Sequence, residues 1–126
     1  MTIGDFKKRY TFEQRCTESA QVREKYKNKV AVIAEMSKKA LEDGKVSDID
    51  KAKYLVPSDL TVGQLTYVIR GRIKLAPEMA IFCFVGGEDV IPPTFRTVAS
   101  LYDEYKDEDG FLYITFGPEN TFGTFA

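Results

Sequence analysis

Along residues 51–73 the hydrophobic pattern changes period part-way, from one that suits a strand to one that suits a helix. Tyr54, Leu55 and Val56 are consecutive aromatic or apolar residues, and Pro57 then removes a backbone donor, which fits the end of an edge strand. Thr61 stands three residues before Gln64, the spacing of a capping box, with Leu60 and Leu65 placed as a hydrophobic staple. From Leu65 the apolar residues recur at Val68, Ile69 and Ile73, which predicts one buried helical stripe with Arg70 and Arg72 turned elsewhere.

Residues 11–26 repeat the cap pattern with Thr11 and Gln14, and Phe12, Cys16, Ser19, Ala20, Val22 or Arg23, and Tyr26 form the expected inner stripe of an amphipathic helix. A short helical turn over residues 6–9 precedes it, with Lys7, Lys8 and Arg9 exposed. Residues 30–34 (Val-Ala-Val-Ile-Ala) read as a central strand buried on both faces. Residues 37–50 are polar and read as a loop with room for a short helix of its own. Leu75, Ala76 and Pro77 end the central helix, residues 80–85 form an aromatic-rich strand, residues 86–89 a turn, and Pro92 and Pro93 bar the next extended piece from a central position. Val98, Leu101, Tyr102 and Tyr105 predict a short helix, residues 106–110 an acidic, solvated turn, and residues 111–116 the last strand.

With 126 residues the chain fits one domain. Apolar residues make up 44% and charged residues 29%, and no run of 18 apolar residues is present to span a bilayer. Residues 1–10 are polar and lack both a secretory pattern and the second-position Gly of myristoylation. Two cysteines, Cys16 and Cys83, make no disulfide framework or metal spacing, so a reducing, cytoplasmic setting is expected. The absence of histidine removes the commonest general base and metal ligand. No catalytic residue, metal site or cofactor is therefore expected. Net charge is −1, which gives no call for a nucleic-acid partner. Up to Lys53, however, thirteen basic residues face nine acidic ones, and beyond it five face ten. The first half can thus steer an acidic peptide or an anionic surface.

Residues 53–64, Lys-Tyr-Leu-Val-Pro-Ser-Asp-Leu-Thr-Val-Gly-Gln, together with Ala-Ile-Phe-Cys-Phe-Val at 80–85, Val-Ile-Pro-Pro-Thr at 90–94, Leu101-Tyr102 and residues 109–114, resemble the autophagy ubiquitin-like modifiers. This is the family of the GABA-receptor-associated protein and the microtubule-associated light chains. The likeness runs from about residue 12 to residue 123. It implies an α+β fold, a ubiquitin-like β-grasp over residues 28–123 with an N-terminal helical extension over 1–27, and a C-terminal segment, 124–126, removed on processing. The connection at 37–50 is about four residues longer than the family usually has, and the turn at 86–89 about two.

The resemblance also implies two sites. The edge strand is expected to receive short peptides of cargo receptors and adaptors, carrying an aromatic residue, two variable ones and an aliphatic one. Glu18, Val22, Ala31, Ile33, Lys53, Leu55 and Phe111 are expected to line the aromatic pocket. Tyr54, Val56, Pro57, Leu60, Leu65 and Val68 would form the aliphatic one, and Lys29, Lys51 and Lys53 would meet acidic flanks. Ala31 stands where the family usually has Pro, and Leu65 where it often has Phe, so pocket floor and volume should differ. At the tail, a processing cysteine protease is expected to recognise Phe122 and cut between Gly123 and Thr124. Activating and conjugating enzymes then pass Gly123 to phosphatidylethanolamine, which moves a cytoplasmic monomer onto the autophagosome membrane. A soluble adaptor of vesicle trafficking or microtubule attachment, binding peptides at the same edge and never conjugated, is the other reading; a small enzyme is a third.

Overall fold

The computed structural model describes residues 2–38, 42, 51–73, 80–87 and 90–117. Two helices, α1 (Asp5–Arg9) and α2 (Phe12–Lys25), precede β1 (Lys29–Met36) and β2 (Lys53–Pro57). Then follow α3 (Val62–Arg70), β3 (Phe82–Phe84), α4 (Val98–Tyr105) and β4 (Leu112–Gly117). The sheet order is β2-β1-β4-β3, with β1 and β4 parallel and the outer pairs antiparallel. This is the ubiquitin-like α+β fold expected from the strand and helix order, with two helices placed ahead of it.

Because β-strand side chains alternate between faces, the sheet has two separate apolar layers. Val30, Val32, Ala34 and Met36 of β1 join Leu112, Ile114 and Phe116 of β4, and α3 and α4 cover them with Leu65, Ile69, Val98 and Leu101. On the opposite face Ala31, Ile33 and Phe111 meet Phe6, with Val22 and Tyr113 packed alongside. That second layer is where α1 and α2 dock.

The predicted caps are present. Both Thr11 and Thr61 accept the N3 backbone N–H while Gln14 and Gln64 reach back to the cap N–H. Each such cap contributes about 1 kcal/mol. β1 is three residues longer than its apolar run, since Lys29 pairs with β2 at one end and Glu35 and Met36 continue the parallel ladder with β4 at the other. β3 is shorter than the apolar run at 80–85, with Val85 bridged separately to Val90.

The structure corrects three expectations. The inner face of α2 is Arg15 and Ser19, while Phe12 is 51% exposed, because a buried carboxylate, Asp109, draws Arg15 inward. The turn at 106–110 is accordingly not wholly solvated: Asp109 is buried. In α3, Val62, Leu65 and Ile69 form the inner stripe and Val68 is 45% exposed, since residue 68 falls one step round the helix from 69. The expected loop at 37–50 lies largely outside the described residues, as do the helix end at 75–77, residues 88–89 of the turn, and the tail.

α1 has five residues, too few to be stable alone. Its one buried side chain is Phe6, whose burial contributes about 1.5–3 kcal/mol. Glu35, buried on β1, accepts the Phe6 N–H at 3.0 Å and the Gly4 N–H at 3.3 Å, satisfying donors at the start of the helix. A bridge between Thr2 and Met36 ties the stretch ahead of the helix to the same strand.

Candidate functional site: a bare strand edge beside an apolar cavity

Among the described residues β2 has one strand neighbour, β1, with Lys53 opposite Ile33 and Pro57 opposite Lys29. Its outer side therefore carries backbone donors and acceptors not taken up by another strand. Pro57 closes the strand as expected, and the Ser58 N–H turns back to the Asn28 carbonyl at 3.0 Å.

Beside this edge, between α2 and the sheet, lies a cavity of about 210 Å³ lined by Glu18, Val22, Ala31, Val32, Lys51, Lys53, Tyr54, Leu55 and Phe111. It is smaller than the ~300–1,000 Å³ of sites that enclose a drug-sized ligand, and has room for one large side chain. Of the residues expected in an aromatic pocket, Glu18, Val22, Ala31, Lys53, Leu55 and Phe111 meet here. Ile33 does not line the cavity; it is fully buried beneath it with Phe6 and Phe111. Glu18 and Lys53 form an ion pair from α2 to β2 across the cavity's lining, and both side chains remain partly exposed.

On the other face of β2, Tyr54, Val56 and Leu65 are buried, Leu60 is partly buried, and Val68 and Pro57 are exposed. Leu65 is thus floor, and the accessible apolar surface there belongs to Leu60, Pro57 and Val68. Lys51 and Arg72 lie over the Tyr54 ring at 5.3 and 5.6 Å, a cationic border between the faces. Lys29 is exposed, opposite Pro57, at the far end of β2 from Lys53. The tail residues Phe122, Gly123 and Thr124 lie outside the described residues.

The α2 wall of the cavity is anchored by a polar cluster that the residue pattern did not reveal. Asp109 Oδ2 accepts from Arg15 Nη1 at 2.6 Å and from the Tyr113 hydroxyl at 2.5 Å, and Oδ1 accepts the Phe111 N–H at 2.9 Å. The Ser19 hydroxyl donates to the Asp109 carbonyl. Burial raises the Tyr113 pKa, and the neighbouring Asp109 carboxylate raises it further. For Arg15 burial opposes the charge, but the bonds to Asp109 and Tyr113 outweigh it and raise the pKa. The guanidinium therefore stays charged inside the protein. Next to it Asp107 accepts from Lys7 Nζ at 2.5 Å. Burial works against ionisation of Asp107, yet Lys7 and the Asp109 N–H prevail and hold its pKa below the usual carboxylate value.

Matched against known proteins, residues 14–123 fit the family described as autophagy protein Atg8, ubiquitin like. The chain belongs to the Atg8 family. Autophagy-related protein 8d of Arabidopsis thaliana is 51% identical to it, covering 99% of both chains. Autophagy-related protein 8 of Schizosaccharomyces pombe is 55% identical over 96% of this chain and 95% of its own. The crystal structure of Trypanosoma brucei ATG8 superposes with a TM-score of 0.80 at 39% identity, covering 94% of this chain and 97% of the other. As an Atg8 member the chain is an autophagy ubiquitin-like protein, which agrees with the order of its elements and the resemblance carried by residues 53–64.

Proposed function

We propose that this Atg8 protein is a non-enzymatic modifier: cleaved after Gly123, joined there to phosphatidylethanolamine, and used on the autophagosome membrane as a receptor for cargo-receptor peptides. The observation that carries the peptide half of the reading is the bare edge of β2 with an apolar cavity directly beside it. A peptide adding to that edge as a strand sends successive side chains to opposite faces. An aromatic residue and an aliphatic one three positions later therefore point to opposite faces of the sheet. The first enters the cavity against Val22, Leu55 and Phe111; the second reaches Leu60, Pro57 and Val68. Lys51, Lys53 and Lys29 attract acidic flanking residues by charge-assisted contacts.

The conjugation half rests on family membership. Cleavage by a cysteine protease between Gly123 and Thr124, with Phe122 as the recognised residue, frees a carboxylate. The activating enzyme spends ATP to make it a thioester, and the ethanolamine amine displaces the thiol to leave an amide. No helix among the described residues is long and apolar enough to cross a membrane. Two acyl chains supply about 0.8 kcal/mol per buried methylene, enough for stable anchoring.

Two measurements test this. Intact mass of the protein from starved cells should show loss of residues 124–126 and gain of a phospholipid; an unchanged mass favours the unconjugated adaptor. Calorimetric titration with a peptide containing Trp-Ala-Ala-Leu after two Asp residues should show saturable binding that Leu55→Ala weakens about tenfold or more, as expected for truncating a buried anchor contact. Equal affinity in both proteins would refute the site.

A further inference from the structure

The short arm α1 makes no direct contribution to the cavity lining, yet its one buried side chain stands immediately behind it. Phe6 meets the Phe111 ring edge-on, with centroids 5.6 Å apart and planes at 81°. Phe111 lines the cavity and Phe6 does not. Ala31, Phe111 and Val22 belong both to the cavity lining and to the small apolar layer that Phe6 completes. Phe6 is further boxed by Tyr10 at 4.9 Å and Tyr113 at 6.2 Å. With its backbone N–H held by Glu35, it has a defined seat.

From this arrangement we infer that Phe6 is a positioning residue for the peptide site: arm docking and aromatic-peptide binding are coupled through the Phe6–Phe111 contact, each strengthening the other. The inference rests on the peptide-receptor reading above. When the arm is seated, the Phe6 edge fixes the Phe111 ring plane and the cavity has a firm floor. When the arm leaves, the ring loses the neighbour that orients it, and the space vacated by Phe6 opens behind the floor. An incoming aromatic side chain then meets a deeper, less defined surface. Close-packed interiors transmit such changes because side chains occupy discrete rotamers.

The arm is suited to this role because so little holds it. It is a five-residue helix attached by one buried ring, two N–H bonds to Glu35, the Thr2–Met36 bridge, the Lys7–Asp107 pair, Lys7 over the Tyr113 ring at 4.8 Å and the Arg15 Nε bond to the Tyr10 carbonyl. Segments with few buried contacts open locally well before the fold does. Coupling of binding free energies is reciprocal, so whatever the arm adds to peptide affinity, the peptide returns as protection of the arm.

The test uses the full chain and the same Trp-Ala-Ala-Leu peptide. In the unmutated protein, saturating peptide should slow hydrogen exchange at the Phe6, Lys8 and Tyr10 amides at least fivefold, and Leu55→Asp should abolish that protection. Phe6→Ala should raise Kd at least fivefold, at the lower end of usual coupling strengths, and Phe6→Leu should recover part of the loss. Glu35→Gln, which leaves the ring contact in place but weakens the seat of the arm, should move Kd in the same direction by less. If the unmutated protein binds the peptide while the arm amides exchange unchanged, the coupling is overturned and the receptor reading stands. Equal affinity for Phe6→Ala, shown folded by its amide spectrum, overturns it equally. Absence of peptide binding to the unmutated protein removes both.

Discussion

Replacing Asp109 by Asn retains the side chain's shape and removes its charge, which isolates what holds α2 to the sheet. The carboxylate accepts three bonds, from Arg15 Nη1, the Tyr113 hydroxyl and the Phe111 N–H. The Asp109 side chain is 0% exposed and that of Arg15 10%, so water cannot take over the role. An amide offers one acceptor oxygen and turns two donors toward groups that are themselves donors. At least one buried donor is left unmatched, costing about 1–3 kcal/mol. The Arg15 charge also loses its counter-ion, and removing one partner of a buried pair costs about 3–5 kcal/mol in all. At roughly 4 °C per kcal/mol for a domain of this size, the melting midpoint should fall by about 12–20 °C. Urea unfolding at pH 7, followed by far-UV circular dichroism, gives the same loss as a lower midpoint at an unchanged slope. Arg15→Met with Asp109→Leu should lie well above the sum of the single changes, because an apolar pair leaves no orphan charge. A loss below about 1 kcal/mol for Asp109→Asn, or a double variant that merely adds the single losses, would refute the reasoning.

Asp107 titrates below its unfolded value of about 3.9, so its pair with Lys7 contributes fully above that pH and is lost as pH falls through the lower folded pKa. Exchange at the α1 amides should therefore be constant from pH 7 to 5, after correction for intrinsic rates, and rise below about pH 4; Lys7→Met should flatten that rise. Burial pushes the Cys83 thiol up to about 12, whereas Cys16 is partly exposed. Iodoacetamide at pH 8 should label one thiol in the native protein and two in urea, with Cys16 the first by peptide mapping; two equal native rates would contradict this. Gly110 has φ +91°, and a Cβ there would stand 2.4 Å from Ser19 Oγ. Gly110→Ala should thus lose about 1–3 kcal/mol in urea unfolding, and a neutral result would mean that the turn has another accessible conformation.

The local code of the chain already specified much of this molecule. Two threonines, each three residues ahead of a glutamine, marked two helix starts, and an unbroken apolar run marked β1 and an aromatic-rich one, interrupted by Thr115, marked β4, because cap chemistry and side-chain period act within a few neighbouring residues. Pro57 marked β2 as an edge for the same reason: it changes the donors of its own strand. The resemblance centred on residues 53–64 then pointed to the residues that gather around the cavity, Ile33 excepted, since strand period shows that 31 and 33 share a face but not which of them stays covered. On the inner surface of α2, Ser19 and Val22 fell on the stripe that periodicity predicts, but the burial of Arg15 was beyond any local pattern. Arg15 lies off the predicted stripe, and its burial depends on Asp109, 94 positions away. Phe6 was likewise one aromatic in a basic arm until the parallel pairing of β1 with β4 brought Phe111 beneath it. Periodicity and caps belong to short stretches of chain, whereas a buried charge or a ring wedged behind a cavity gets its meaning from whichever distant segment folding sets against it.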